Sequence, residues 1–284
     1  REGLTCHDGE ALTAEDAANK IGADKQAVAR LLNALSAMDL LEKNGDKYSN
    51  TDLSREYLSK DSPGYLGHII MHHHHLVESW AKLDHAVITG KPIRARASVS
   101  SDEWRESFLM GMFNLAVRLA PQVAQQVVLS SRRHLLDLGG GPGTYAIYFC
   151  KQNPHLRATV FDLPTTRPFA EKTIAEYGLS DRIDFMDGDY LEQDITGSYD
   201  VAWLSHILHG EGPADCRNII RKTAAVLEPG GLIMVHDFIL DNSMDRPLFP
   251  ALFSLNMLLG TSSGQSYSDE QIRNMLAENG AGQI

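Results

Sequence analysis

The stretch LLDLGGGPGTYAIYF, residues 135 to 149, sets an apolar run and an Asp directly before four glycines and a proline, then turns apolar again. A buried strand that passes into a helix through so bare a backbone is a turn that lets a ligand come close to the main chain. The remainder of the chain agrees. From residue 134 onward, strand-like and helix-like segments alternate: HLLDLG, TYAIYFCKQ, RATVFDLP, RPFAEKTIAEYG, IDFMDGDY, YDVAWLSHIL, CRNIIRKTAAVL and GLIMVHDFIL. Buried strands alternating with amphipathic helices specify a doubly wound, Rossmann-like α/β sheet, with ligands at the carboxyl ends of its strands.

The residues at those strand ends describe the ligand. Gly139, Gly141 and Gly143 are spaced one residue more tightly than the dinucleotide fingerprint, and Asp137 stands two residues before the first of them. A carboxylate there suits a cationic group better than a pyrophosphate. The second strand ends in VFDLP, which puts Asp162, with Leu163 beside it, 19 residues beyond Gly143. At that distance an acidic side chain takes ribose hydroxyls. Asp189 and Tyr190, in DGDYLE, end the third strand and suit an adenine amino group and ring face. A nucleoside with a cationic tail is S-adenosylmethionine, which is the cofactor expected.

The front of the chain reads differently. Thr13 and Asp16 have the spacing of a capping box, and Asp24 can cap a second helix carrying Val28, Leu31, Leu32, Leu35 and Met38 at helical spacing. LLEKNGDKYSNT then supplies a hairpin turning at Asn44-Gly45-Asp46, completing a winged-helix pattern. DNA binding needs a basic stripe, whereas the second helix offers Lys25 and Arg30 among Glu10, Glu15, Asp16, Asp24, Asp39 and Glu42. The whole chain, 284 residues, has a net charge of −11, which disfavours a polyanionic partner or an anionic membrane.

Residues 64 to about 130 read as helical, broken at TGKPIRARASVSS. His68 and the run His72 to His75 share this region. Consecutive histidines point around a helix rather than at one ion, so no metal is expected. In the following segment Phe108, Met112, Leu115 and Leu119 form one stripe, with Met110, Phe113 and Asn114 beside it. A Met-rich wall beside aromatic rings suits a small flat acceptor. Met112 and Phe113 are therefore expected to line its pocket, opposite Phe249, Phe253 and Met257 of RPLFPALFSLNMLLG.

Cys6, Cys150 and Cys216 are odd in number and widely spaced, as in a cytoplasmic protein with reduced thiols. No apolar run approaches the roughly 20 residues of a membrane span. The sequence starts at Arg1 without a Met and stops at Ile284, so it is expected to be part of a longer gene product.

From Leu135 to about Gly280 the chain resembles the class I S-adenosylmethionine-dependent methyltransferases. With its winged-helix front, the whole chain is similar to the small-molecule O-methyltransferases of plant phenolic metabolism and their bacterial relatives acting on polyketides and pigments. The resemblance implies three parts: a dimerisation domain over 1–62, a helical segment over 63–130 serving the dimer and the acceptor pocket, and a methyltransferase domain over 131–284. It also implies a homodimer, no metal, and two closing strands beginning about where AGQI stops. In WLSHILHGEGPADCRNII it places the catalytic base at His209 and a cofactor-lining residue at Ser205, with His206 the other candidate base. The plant members follow the base with Asp-Trp, where this chain has Gly210-Glu211. They also hold a Glu near the position of Gln265-Ser266 to orient the base. The expected reaction is methyl transfer to a hydroxyl of a small aromatic molecule. A winged-helix regulator sensing a nucleoside, and a relative that binds the cofactor without transferring methyl, stay open, as does methylation at nitrogen or carbon.

Overall fold

The computed structural model describes residues 11–96 and 101–283. Cys6, Glu10, residues 97–100 of the expected loop, and Ile284 lie outside the described residues. Two compact units divide between Met71 and His72.

In the first unit, β1 (Leu12–Thr13) leads into α1 (Ala14–Ile21) and α2 (Lys25–Ala37), followed by the hairpin β2 (Leu41–Asn44) and β3 (Lys47–Asn50), then α3 (Asp52–Tyr57). The local signals act as their chemistry requires. Thr13 Oγ1 accepts the Asp16 N–H while the Asp16 carboxylate accepts the Thr13 N–H, and Asp24 accepts the Ala27 N–H. Gly45 turns the hairpin at φ +64°, a conformation that favours glycine. The strands pair in the order β1-β3-β2, all antiparallel. Of the α2 stripe, Val28 and Leu32 pack into the core, whereas Leu31 and Met38 are exposed. The Lys25 ammonium is held by Glu15 at 2.6 Å.

Helix α4 (Gly67–Trp80) crosses into the second unit, which continues with α5 (Leu83–Thr89) and α6 (Asp102–Gln126). The sheet domain comes next as β4 (His134–Leu138), α7 (Thr144–Gln152), β5 (Arg157–Asp162), α8 (Arg167–Glu176), β6 (Ile183–Asp187) and β7 (Tyr199–Ser205). It ends with α9 (Pro213–Ala225), β8 (Leu227–His236), α10 (Leu248–Gly260) and α11 (Asp269–Glu278). All five strands run parallel in the order β6-β5-β4-β7-β8. Leu135, Leu136 and Leu138 are fully buried, as expected of a central strand covered on both faces. Leu135, Val160 and Trp203 face α6, α7 and α8; Leu136, Leu138 and Leu204 face α9 and α11.

The histidine run is divided by its helix. The His75 ring stacks on Trp104 at 4.5 Å and His72 lies 5.4 Å from Phe108, both on α6, while His73 and His74 are exposed. The stripe read on α6 is also divided, since Leu115 and Leu119 are exposed and Leu109, Ala120 and Ala124 are buried. Among the described residues no helix is long and apolar enough to cross a membrane.

Candidate active site

The strand order sets five carboxyl ends side by side: Asp189 after β6, Asp162 on β5, the glycine turn after β4, His206 and His209 after β7, and Asp237 after β8. Asp189 and Asp162 lie on one side of the glycine turn; His206, His209 and Asp237 lie on the other.

Gly139, Gly141 and Gly143 all have positive φ. At Gly139 an added Cβ would come within 2.5 Å of Ile207 Cγ2. Gly141 differs, because a Cβ there would meet nothing nearer than Leu109 Cδ2 at 4.0 Å. The space above it is open, and α6 roofs it. Asp162 borders this space. Its Oδ1 accepts from the Leu163 N–H and Thr166 Oγ1, and among the described residues its Oδ2 accepts only from the Gly141 N–H, at 2.8 Å. Oδ2 therefore keeps a lone pair for a ligand hydroxyl. Burial raises the Asp162 carboxyl from its ordinary value, opposed by those three hydrogen bonds. Asp189 lies next in the row, half-buried, its Oδ1 accepting the Leu191 N–H. Open space over glycine, a carboxylate with a free lone pair and a second acid beside it fit an adenosine with a cationic tail.

Two residues expected in this half are held by the protein itself. Asp137 is 1% exposed and packs against the turn at Gly140: its Oδ2 accepts the Ala146 N–H, and burial pushes its carboxyl up to about 7. It shares the sheet face of Leu135, toward α7, so it supports the turn. Tyr190 has its ring next to Gly139, but its hydroxyl donates inward to Glu211 Oε1 at 3.3 Å.

Beyond the turn, β7 and β8 pair Ser205 with His236, so the residues after them are neighbours as well. His209 Nδ1 lies 2.6 Å from Asp237 Oδ1, with side chains only 12% and 5% exposed. An ionised carboxylate can only accept, so Nδ1 carries the proton and the Nε2 lone pair is left for another donor. Burial works to raise the Asp237 carboxyl; the adjacent His209 and His206 outweigh it and hold it well below the usual carboxylate range. His206, at φ +56°, has its Nδ1 buried, without a hydrogen-bond partner and 3.7 Å from the same oxygen. Ser205 Oγ meets His236 Nδ1 at 3.1 Å. Burial, then the charge of His206, pushes His236 down to about 4, so it is neutral near pH 7. His206, His209 and Asp237 have donor atoms within 4.8 Å of one another, close enough to share a cation. A cation there would displace the proton that orients His209.

The orienting acid is therefore Asp237, which the sequence does not reveal. Ser266 is fully buried, but its Oγ donates to Pro250 O on α10 and leaves His209 untouched. Glu211, where the plant enzymes have Trp, is 1% exposed and clamped by Arg96 through both carboxylate oxygens.

The aromatic wall is assembled partly as expected. Phe253 stands edge-on to the His209 ring at 4.7 Å, and Phe249 lies 6.1 Å from Phe253. Phe238, which follows the orienting Asp, stacks 6.0 Å from His209 and 4.6 Å from Phe253. Met257, one turn along α10 from Phe253, is buried. The ring neighbour of Phe113 is Tyr177, 6.5 Å away at the far end of α8; half-buried Met112 shares that stretch of α6, and Leu109 meets the glycine turn instead.

Residues 80–282 match the model of the O-methyltransferase domain, and residues 2–60 that of the O-methyltransferase dimerisation domain. The chain is 32% identical to 3-hydroxy-5-methyl-1-naphthoate 3-O-methyltransferase of Streptomyces sahachiroi, over 97% of this chain and 83% of that one. Among solved structures it superposes on an O-methyltransferase family protein from Burkholderia thailandensis with a TM-score of 0.85 at 29% identity, covering 95% and 83% of the two chains. It superposes on human N-acetylserotonin methyltransferase in complex with S-adenosylmethionine with a TM-score of 0.83 at 26% identity, covering 98% and 84%. The chain belongs to the S-adenosylmethionine-dependent O-methyltransferase family.

Proposed function

We propose that this enzyme methylates a hydroxyl on a small fused-ring aromatic molecule, with His209 as the general base. The observation that carries the proposal is the 2.6 Å His209–Asp237 pair, with the rings of Phe238 and Phe253 clustered against the imidazole. The cofactor, when bound, supplies a methyl group already activated by its sulfonium. The chain has to align the acceptor and remove one proton. Phe253 and Phe238 hold a flat ring against His209. Nε2 would take the proton from the acceptor hydroxyl as that oxygen is methylated. Asp237 keeps Nδ1 protonated and steadies the imidazolium. Asp162 and Asp189 hold the ribose and adenine, and the open face of Gly141 accommodates the cationic tail. Ser205 lines the cofactor side, while Asp137 and Tyr190 support the turn.

The dimerisation-domain match supports a homodimer built on the first 62 residues and extended by the helical segment 63–130, where Leu115 and Leu119 present apolar surface. A methyltransferase domain over 131–284 completes this division. A cytoplasmic location is part of the same proposal, supported by the free thiols Cys150 and Cys216. The acceptor class follows from the named activity of the Streptomyces relative. Incubation with S-adenosylmethionine and 3-hydroxy-1-naphthoate should give the methyl ether by mass spectrometry, and recovery of acceptor unchanged at saturating cofactor would reject it.

Asp162→Ala should weaken S-adenosylmethionine binding by about 1–3 kcal/mol, the cost of leaving ribose hydroxyls without a charged acceptor. Calorimetry on the folded variant checks this. An unchanged affinity would remove Asp162 from the ribose site.

A further inference from the structure

Arg94 is a cation that the proposed mechanism does not use. Its side chain is half-buried, and its guanidinium lies so close to Gly260 that a Cβ there would be 2.6 Å from Cζ. Nη2 donates to Asn256 Oδ1 at 3.1 Å, Nη1 makes a long 3.5 Å contact with Ala95 O, and Nε is buried without a partner. Among the described residues no carboxylate lies within ion-pair distance, and residues 97–100 contain none. Burial depresses the guanidinium pKa, so the site disfavours its charge, and among the described residues no opposite charge offsets that cost. Arg96, two residues on, shows the usual solution, with Glu211 bound through two hydrogen bonds. His72 adds no charge near pH 7, because burial, His73 and Arg94 together push it down to about 4.

The position of this cation gives it meaning. Ile93 and Arg94 donate their N–H groups to Leu259 O, fixing the segment along the end of α10. On the same segment the Arg96 guanidinium reaches Gly210 O, next to the base. Asn256 lies three residues, about 5 Å along the axis, beyond Phe253, whose ring touches His209. The guanidinium and the base thus stand on the same side of α10, roughly one turn apart.

We propose that Arg94, with Asn256, binds a carboxylate on the acceptor, so that the preferred substrates are hydroxylated aromatic acids whose acid group lies away from the reacting hydroxyl. This rests on the proposed acceptor class and adds a specificity residue to it. An unpartnered Nε beside Nη2, which carries a second N–H besides the one given to Asn256, presents two parallel donors to a carboxylate.

The test is calorimetric titration, in the presence of S-adenosylhomocysteine, of 3-hydroxy-1-naphthoate and of its carboxamide. Wild-type enzyme should bind the acid about 10- to 100-fold more tightly. Arg94→Gln should abolish that preference while leaving carboxamide affinity unchanged, and Arg94→Lys should restore part of it. If Arg94→Gln does not fold, Asn256→Asp, which gives Arg94 an internal carboxylate, should lower the preference instead. Equal binding of acid and amide by wild type, or a preference that survives both variants, overturns the proposal. So does loss of self-association in Arg94→Gln by sedimentation, which would assign the guanidinium to a partner subunit. Arg94-dependent binding of the acid without turnover would sink the acceptor reading and leave the carboxylate site standing.

Discussion

Replacing His209 with Gln should lower kcat by roughly 10²- to 10⁴-fold, the usual contribution of a positioned base, while S-adenosylmethionine affinity changes by no more than a few fold. The size of the effect comes from the acceptor. A phenol loses its proton near pH 10, so at neutral pH the oxygen is almost wholly protonated and a poor nucleophile. Glutamine fills much of the same space beside Phe238 and Phe253 but cannot take that proton. His206→Gln, made alongside, should be much milder, since its Nδ1 stands 3.7 Å from Asp237 and has no hydrogen-bond partner. Steady-state kinetics on the two variants decides between them: full activity in His209→Gln with loss in His206→Gln would move the base to His206.

The largest stability effect should come from Arg96→Met. Glu211 is 1% exposed, and its charge is balanced by the two Arg96 hydrogen bonds at 2.5 and 2.7 Å. Removing the cation leaves a buried carboxylate unpaired, which costs about 3–5 kcal/mol. Tyr190 and the backbone near His209 share this network, through the Tyr190 hydroxyl and the Arg96 contact to Gly210 O, so activity should fall with stability. The double variant Arg96→Met with Glu211→Gln should recover most of the loss, because it removes both charges together. Urea unfolding measures each species. A single variant within about 1 kcal/mol of wild type would mean that Glu211 relaxes into solvent.

The sequence reveals this site unevenly, for physical reasons. Thr13, Asp24 and the Asn44-Gly45 turn act through residues three or four apart, so their structures are legible locally. The glycine turn and Asp162 are legible because a strand's end is marked by its own composition. Asp237 also ends a strand, but its link to His209 exists only through the register of β8 on β7, 28 residues apart in sequence. The acid in VHDF, at the end of an apolar strand, was the available signal. Asp137 is hard to orient from sequence because both faces of β4 are buried, so period-2 alternation cannot tell on which side of the strand its carboxylate lies. Met112 and Phe113 belong to a helix apolar on several faces, and only packing decides that Leu109 meets the turn. Arg94 and Arg96 read alike in RAR, yet among the described residues only Arg96 has an acid partner.

The most direct test of proton removal by an Asp237-oriented His209 is the pH dependence of single-turnover methyl transfer to 3-hydroxy-1-naphthoate. In wild type the rate should already be high at neutral pH, where the acceptor hydroxyl is still protonated, and change little toward the acceptor's own pKa. In His209→Gln it should be lower throughout and climb about tenfold per pH unit toward the acceptor's own pKa, where the phenolate no longer needs a base. A variant whose profile overlays that of wild type would contradict a role for His209 in proton transfer.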